Sequence, residues 1–233
     1  MVRRTLGIVG GIAPESTIDY YRKIVTLYQS RVADGSYPSI IINSIDLKKM
    51  LGLVAAHDLT ALTDYFHTEM EKVAEAGADF ALFASNTPHI VFDDVRKLSS
   101  IPLISIVEAT CAAAQALGAK RAGLIGTRFT MQGRFYRDVF SRHGIEIVIP
   151  HDDEQDYIHE KYMNELVKAS FLEETRAKLL EIITRMRDRD SLDALILGGT
   201  ELPLILRESE NARIPLLDTT RIHAEAAVDE LLA

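Results

Sequence analysis

Phe80-Ala81-Leu82-Phe83-Ala84-Ser85-Asn86-Thr87-Pro88-His89 joins an apolar run to small polar residues, and then to a proline suited to the first turn of a helix. An apolar run of this length reads as a buried strand, so Ser85 to Thr87 fall at the carboxyl edge of a sheet, where α/β proteins place their chemistry. The pattern recurs later in the chain. Ala194-Leu195-Ile196-Leu197 runs into Gly198-Gly199-Thr200-Glu201-Leu202-Pro203. Two such edges predict two halves of similar construction.

Outward from these junctions, strand-like and helix-like segments alternate. Thr5 to Val9 reads as a first buried strand, and Gly10-Gly11-Ile12-Ala13-Pro14-Glu15-Ser16-Thr17 as a turn entering a helix that runs to about Ser30. Ile18, Tyr21, Val25 and Tyr28 are expected to form that helix's apolar stripe. A Gly-rich turn at a helix start favours an anion, although neither G-x-G-x-x-G nor G-K-[ST] is present. Pro38 to Asn43 is a second strand, followed by a loop with Asp46, Lys48 and Lys49 and a helix from about Asp58 to Glu75. Pro88 to Leu98 and Val107 to Leu117 read as helices around a strand at Pro102 to Ser105. Further helices are expected at Met131 to His143, Tyr157 to Lys168, Leu172 to Arg187 and Thr219 to Leu232, with strands at Glu146 to Ile149 and Ile214 to Leu217. This alternation predicts parallel βαβ units and an α/β fold.

The landmarks repeat in order. Arg121-Ala122-Gly123-Leu124-Ile125-Gly126-Thr127 echoes Thr5 to Gly11, with Gly7 and Gly123 116 positions apart. Thr87 and Thr200, like Ile101-Pro102-Leu103 and Ile214-Pro215-Leu216, are separated by 113. Three correspondences at nearly one offset imply an internal duplication. The expected division is 1–104 together with 214–233 as one domain and 105–213 as the other.

Composition narrows the function. With 26 basic and 34 acidic residues among 233, the net charge is −8, and no basic run is interleaved with aromatics, which argues against nucleic acid as a partner. No apolar run approaches a membrane span, and Met1-Val2-Arg3-Arg4 leads at once into a Gly-containing strand, unlike a signal peptide. A cytoplasmic protein without membrane attachment is expected. The single cysteine, Cys111, excludes an intrachain disulfide and a thiolate metal cluster, and reads as a small buried helix residue. His151, Asp152, Asp153 and Glu154 carry metal-capable groups without ligand spacing and read as a solvated loop, so no metal is expected.

Gly10 to Thr17, Ser85 to His89, Gly126-Thr127-Arg128-Phe129-Thr130-Met131 and Leu197 to Pro203 together resemble the aspartate/glutamate racemase family, over nearly the whole chain. The resemblance implies two Rossmann-like domains related by a pseudo-two-fold, with the substrate in the cleft between them. It also implies no pyridoxal phosphate or other cofactor, and a homodimer. The family's usual mechanism uses one thiol on each face of the substrate α-carbon. Here Ser85 stands where the first thiol is expected and Gly199 where the second is, so two-thiol racemisation is unavailable. Ser85 and Gly199 are expected to face each other across the cleft, and cysteine at both positions to raise racemisation.

The remaining candidates suit a carboxylate ligand. Asn86, Thr87, Thr127, Thr130 and Thr200 offer side-chain donors, and Gly11 a backbone N–H. Lys168 matches a family position that supplies a basic residue to the substrate. His89 and Glu201 are candidate acid–base groups, against the alternatives of a structural histidine at a helix start and a glutamate favouring a helix dipole. Three functions stay open: racemisation or epimerisation of a small acidic amino acid, a lyase or decarboxylase using one-sided acid–base chemistry, and non-catalytic binding of an acidic amino acid.

Overall fold

In the computed structural model, which describes residues 4–206 and 213–233, the chain opens with β1 (Thr5–Gly10), α1 (Pro14–Arg31), β2 (Ser39–Ser44), α2 (Leu47–Ala55), α3 (Leu59–Glu75) and β3 (Phe80–Phe83). A 3-10 turn (Thr87–Ile90), α4 (Phe92–Leu98), β4 (Leu103–Ile104) and α5 (Ile106–Ala116) complete the first series. The second consists of β5 (Arg121–Gly126), α6 (Arg128–Gln132), α7 (Arg134–Ser141), β6 (Glu146–Val148), α8 (Asp152–Asn164), a 3-10 turn (Leu166–Lys168), α9 (Glu173–Asp190), β7 (Ala194–Gly198), α10 (Leu202–Ile205), β8 (Leu216–Asp218) and α11 (Thr219–Leu232). Met1 to Arg3, the start of the stretch read against a signal peptide, lie outside the described residues.

Each series builds one four-stranded parallel sheet, in the orders β2-β1-β3-β4 and β6-β5-β7-β8. The orders are the same when the second series is numbered from its own start, so the duplication seen in sequence is a duplication of topology. The paired glycines Gly7 and Gly123 occupy equivalent places on the two central strands. A β-carbon on Gly7 would approach Val73 of α3 to 2.8 Å, and one on Gly123 would approach the Leu192 side chain to 2.7 Å. On β1 the neighbours include the stiff Val73 and Ala78, so a bare α-carbon is needed there, whereas on β5 they are the flexible ends of Leu192, Leu195 and Met186.

The chain divides into two compact units, one of residues 1–109 with 220–233 and the other of residues 110–219. The crossings lie about five or six residues after the expected 104/105 and 213/214. The reason for the second shift is that β8 pairs with β7, Leu195 opposite Leu216, which keeps it in the second sheet. The chain then returns, and α11 packs Ala224, Ala227, Val228 and Leu231 against Leu6, Ile8, Tyr20 and Ile24 of the first unit. In the second unit, Ile125, Leu195 and Leu197 of the central strands pack with Ile158 and Tyr162 of α8 and Leu179, Ile182 and Ile183 of α9.

Several helices differ from expectation. The buried stripe of α1 is Tyr20, Ile24 and Tyr28, while Ile18 and Tyr21 are 49% and 47% exposed. Spacing alone admitted both stripes, and the tyrosine that finds a buried polar partner is Tyr20, bonded to His223 Nδ1 at 2.9 Å. The loop around Asp46 is the helix α2, because the Asp46 carboxylate accepts from the N–H groups of Lys48 (2.9 Å) and Lys49 (3.3 Å) and caps it. The expected helix from Met131 to His143 is two helices broken at Gly133, whose backbone is extended. His151 to Glu154 are not a loop. His151 caps α8 and Glu154 is the buried end of an ion pair with Arg185 at 2.8 Å.

Candidate active site

Strand order locates the candidate site in each unit separately. From β1 the chain moves to β2 on one side, then crosses to β3 on the other, and β5, β6 and β7 repeat the manoeuvre. Connections leaving the carboxyl ends of β1 and β3, or of β5 and β7, thus diverge at a topological switch point, the place where open α/β sheets bind their ligands. The sequence-predicted candidates fall at these two points, with one exception. Lys168 is exposed on the 3-10 turn after α8.

In the first unit, Ser85, Asn86, Thr87 and His89 form a buried polar run immediately after β3. Their start is fixed by the Ala84 N–H, which donates to Val9 O (2.9 Å), while Ser16 Oγ, bonded to Ala13 O at 2.7 Å, lies 3.2 Å from Ala84 O. Beside them Gly11 turns the chain after β1 with φ of +84°. A β-carbon there would meet the main chain of Ile45 at 2.7 and 2.8 Å, so glycine is required on both conformational and steric grounds. The Gly11 N–H donates to Thr17 Oγ1 at 2.8 Å, which makes this amide a brace of the turn.

His89 stacks on Phe92 with ring centroids 4.3 Å apart and planes 7° from parallel. Burial, followed by the charges of His223 and Arg96, holds its pKa well below the ordinary imidazole value, against opposing main-chain hydrogen bonds at Asn86 and Ser85. A neutral, stacked ring bonded to the adjoining backbone suits fixing the Ser85–Asn86 main chain better than accepting protons.

In the second unit, β5 and β7 end side by side, with Gly126 opposite Gly198. Thr127 caps α6: its Oγ1 accepts from the Thr130 N–H at 3.3 Å and lies 3.1 Å from Thr130 Oγ1. After β7 come Gly199, Thr200 and Glu201, the latter two 3% and 2% exposed. Thr200 Oγ1 donates to Glu201 Oε2 at 2.9 Å, and the hydroxyl of Tyr162 on α8 donates to the same oxygen. Burial, then the charge and hydrogen bond of Glu201, push the Tyr162 hydroxyl well above its ordinary pKa, so the phenol is protonated at neutral pH.

Sequence reasoning missed Tyr162. It is one tyrosine of a helix 39 positions from its carboxylate partner, with no local motif. The available signal was Gly199 itself, since a bare α-carbon at a buried strand end must have some other group packed beside it. Among the described residues, no three or more His, Cys, Asp or Glu side chains are grouped to hold a metal ion, and no helix is long and apolar enough to cross a membrane.

The profile of the family described as Asp/Glu/Hydantoin racemase matches residues 9–227. The broad specificity amino-acid racemase RacX of Bacillus subtilis is 24% identical over 98% of both chains. Among solved structures, a Yersinia pestis protein described as a candidate Asp/Glu racemase is 31% identical, with a TM-score of 0.90 over 99% of this chain and 100% of that one. PH1733 of Pyrococcus horikoshii, an aspartate racemase homologue, is 28% identical with a TM-score of 0.85, again over 99% and 100%.

Proposed function

Because this chain belongs to the Asp/Glu/Hydantoin racemase family, we propose that it inverts the α-carbon of a small acidic amino acid, moving protons without a cofactor. The observation that carries this reading is the repeated switch point, lined in the first unit by the buried Ser85, Asn86 and Thr87 and in the second by the buried hydroxyls of Thr127, Thr130 and Thr200 and the carboxylate of Glu201. Asn86, Thr87 and Thr127 supply donors of the kind that bind carboxylates, while the Thr200 hydroxyl is committed to Glu201, and donors held out of bulk water stabilise the charge that develops when an α-proton leaves. The names of the Yersinia and Pyrococcus relatives support aspartate and glutamate as the first substrates to try, and that of RacX supports testing a wider panel.

The proton chemistry is thiol-free in this reading. Cys111 is buried on α5, and burial pushes its thiol pKa up, the opposite of what a reactive thiolate needs. Ser85 is the hydroxyl of the first repeat, and as a weak acid it requires a base to act. The test is incubation of the D and L forms of aspartate and glutamate in heavy water. Inversion with deuterium gain at the α-carbon is the expected result. Loss of a carboxyl group would favour the lyase reading, and binding without exchange would favour a non-catalytic binder.

A further inference from the structure

Position 199 has no side chain, yet the space beside its α-carbon is filled. A β-carbon on Gly199 would stand 2.7 Å from the Tyr162 hydroxyl oxygen and 2.8 Å from its Cζ, closer than packed atoms tolerate. The phenol therefore lies where a residue-199 side chain would begin, at the carboxyl end of β7. A phenylalanine would fill the same space. Instead the hydroxyl donates to Glu201, whose Oε2 also accepts from Thr200. Taking a carboxylate and a hydroxyl out of water costs more than burying apolar groups of the same shape, so packing alone does not account for the pair.

We propose that Tyr162 and Glu201 form a proton relay that takes the place of the absent side chain at 199, with Tyr162 exchanging the proton directly with the substrate α-carbon and Glu201 acting behind it. The inference rests on the reading of the chain as an amino-acid racemase and adds the group that handles the proton in the second repeat. In one direction the α-carbon–hydrogen bond breaks and its electron pair stays on the substrate, delocalised into the α-carboxylate. The phenolic oxygen takes that proton while its own passes to Glu201 Oε2, leaving a neutral tyrosine and a neutral glutamic acid. The return step reverses this: Tyr162 donates to the α-carbon and regains a proton from Glu201. No net oxidation occurs, and no phenolate forms beside a carboxylate. That last point matters because the surroundings strongly disfavour an ionised Tyr162.

The test uses the full chain and its Tyr162→Phe, Glu201→Gln and Gly199→Ala variants, with deuterium gain measured separately from each enantiomer of aspartate and glutamate. Tyr162→Phe keeps the ring, and is expected to lower inversion at least about 100-fold with KM little changed, the scale of a lost acid–base group. Because the relay serves one face, deuterium gain without inversion should persist from one enantiomer and vanish from the other. Glu201→Gln should show the same one-sided loss, and Gly199→Ala, which displaces the hydroxyl without removing it, should do so if Tyr162→Phe does not fold. Inversion by Tyr162→Phe within about threefold of the unaltered protein would overturn the relay. So would an equal loss from both enantiomers with a raised KM, the mark of a structural prop. An unaltered protein that exchanges neither amino acid would remove the racemase reading and the relay with it, whereas an active parent with an active Tyr162→Phe removes the relay alone.

Discussion

The ring of Tyr162 packs directly on the α-carbon of Gly199, with its hydroxyl oxygen 2.7 Å from the place a β-carbon would take. The expectation that cysteine at 85 and 199 would raise racemisation meets a steric obstacle here. A thiol at 199 must first displace Tyr162 and break its bond to Glu201.

Gly199→Ala is accordingly expected to destabilise the fold by roughly 1–3 kcal/mol, the usual range for overpacking a well-filled site. Removing the ring as well, in Gly199→Ala with Tyr162→Ala, should make the added methyl nearly harmless. Urea denaturation of the two single variants and the double variant measures the coupling. Additive effects would mean that the two residues do not compete for one space.

Gly11→Ala tests the other switch point. The positive φ and the contact with the Ile45 main chain both oppose a side chain, so a loss of about 2 kcal/mol or more is expected. An unchanged denaturation midpoint would show that the turn after β1 relaxes freely.

Stability of the first unit should fall with acid in a defined window. His223 is buried between Tyr20 (2.9 Å to Nδ1) and Ile104 O (3.1 Å to Nε2), and burial lowers its pKa to about 4. The unfolded chain binds a proton below about pH 6.5 while the folded one does not. The contribution is therefore fully present above that value, declines as pH falls, and is lost by about pH 4, an effect of up to about 3 kcal/mol. His89 shifts in the same direction. Urea midpoints from pH 7 to pH 4 for the parent and for His223→Gln check this, and the variant should show a shallower decline. Parallel curves would assign the acid sensitivity elsewhere.

Much of this architecture is readable along the chain. Phe80 to Phe83 and Thr219 to Leu232 have the bounds that their apolar patterns predict, because a buried strand and a helix packed in the core leave strong local signatures. The repeat offsets of 113 and 116 carry the duplicated sheet order. The apolar pattern of α1 is ambiguous between two stripes, and of Tyr20 and Tyr21 it is Tyr20 that is buried and bonds the distant His223. The helix α2 was hidden because Asp46 reads equally as a loop residue until its carboxylate is seen to cap Lys48 and Lys49. At the site, Ser85 to His89 and Gly199 to Glu201 stand out as small and polar after apolar runs. Tyr162 does not, since its role depends on a contact between α8 and the end of β7 that no local pattern encodes.

The central claim is that this chain moves an α-proton without a thiol, and the most direct measurement is deuterium gain and inversion of D- and L-aspartate and glutamate by the Cys111→Ala protein in heavy water. Cys111 is the only cysteine in the sequence, so the variant has no thiol at all. The predicted result is inversion with α-deuteration at the rate of the unaltered protein. Loss of activity in a folded Cys111→Ala protein, beside an active parent, would contradict the account.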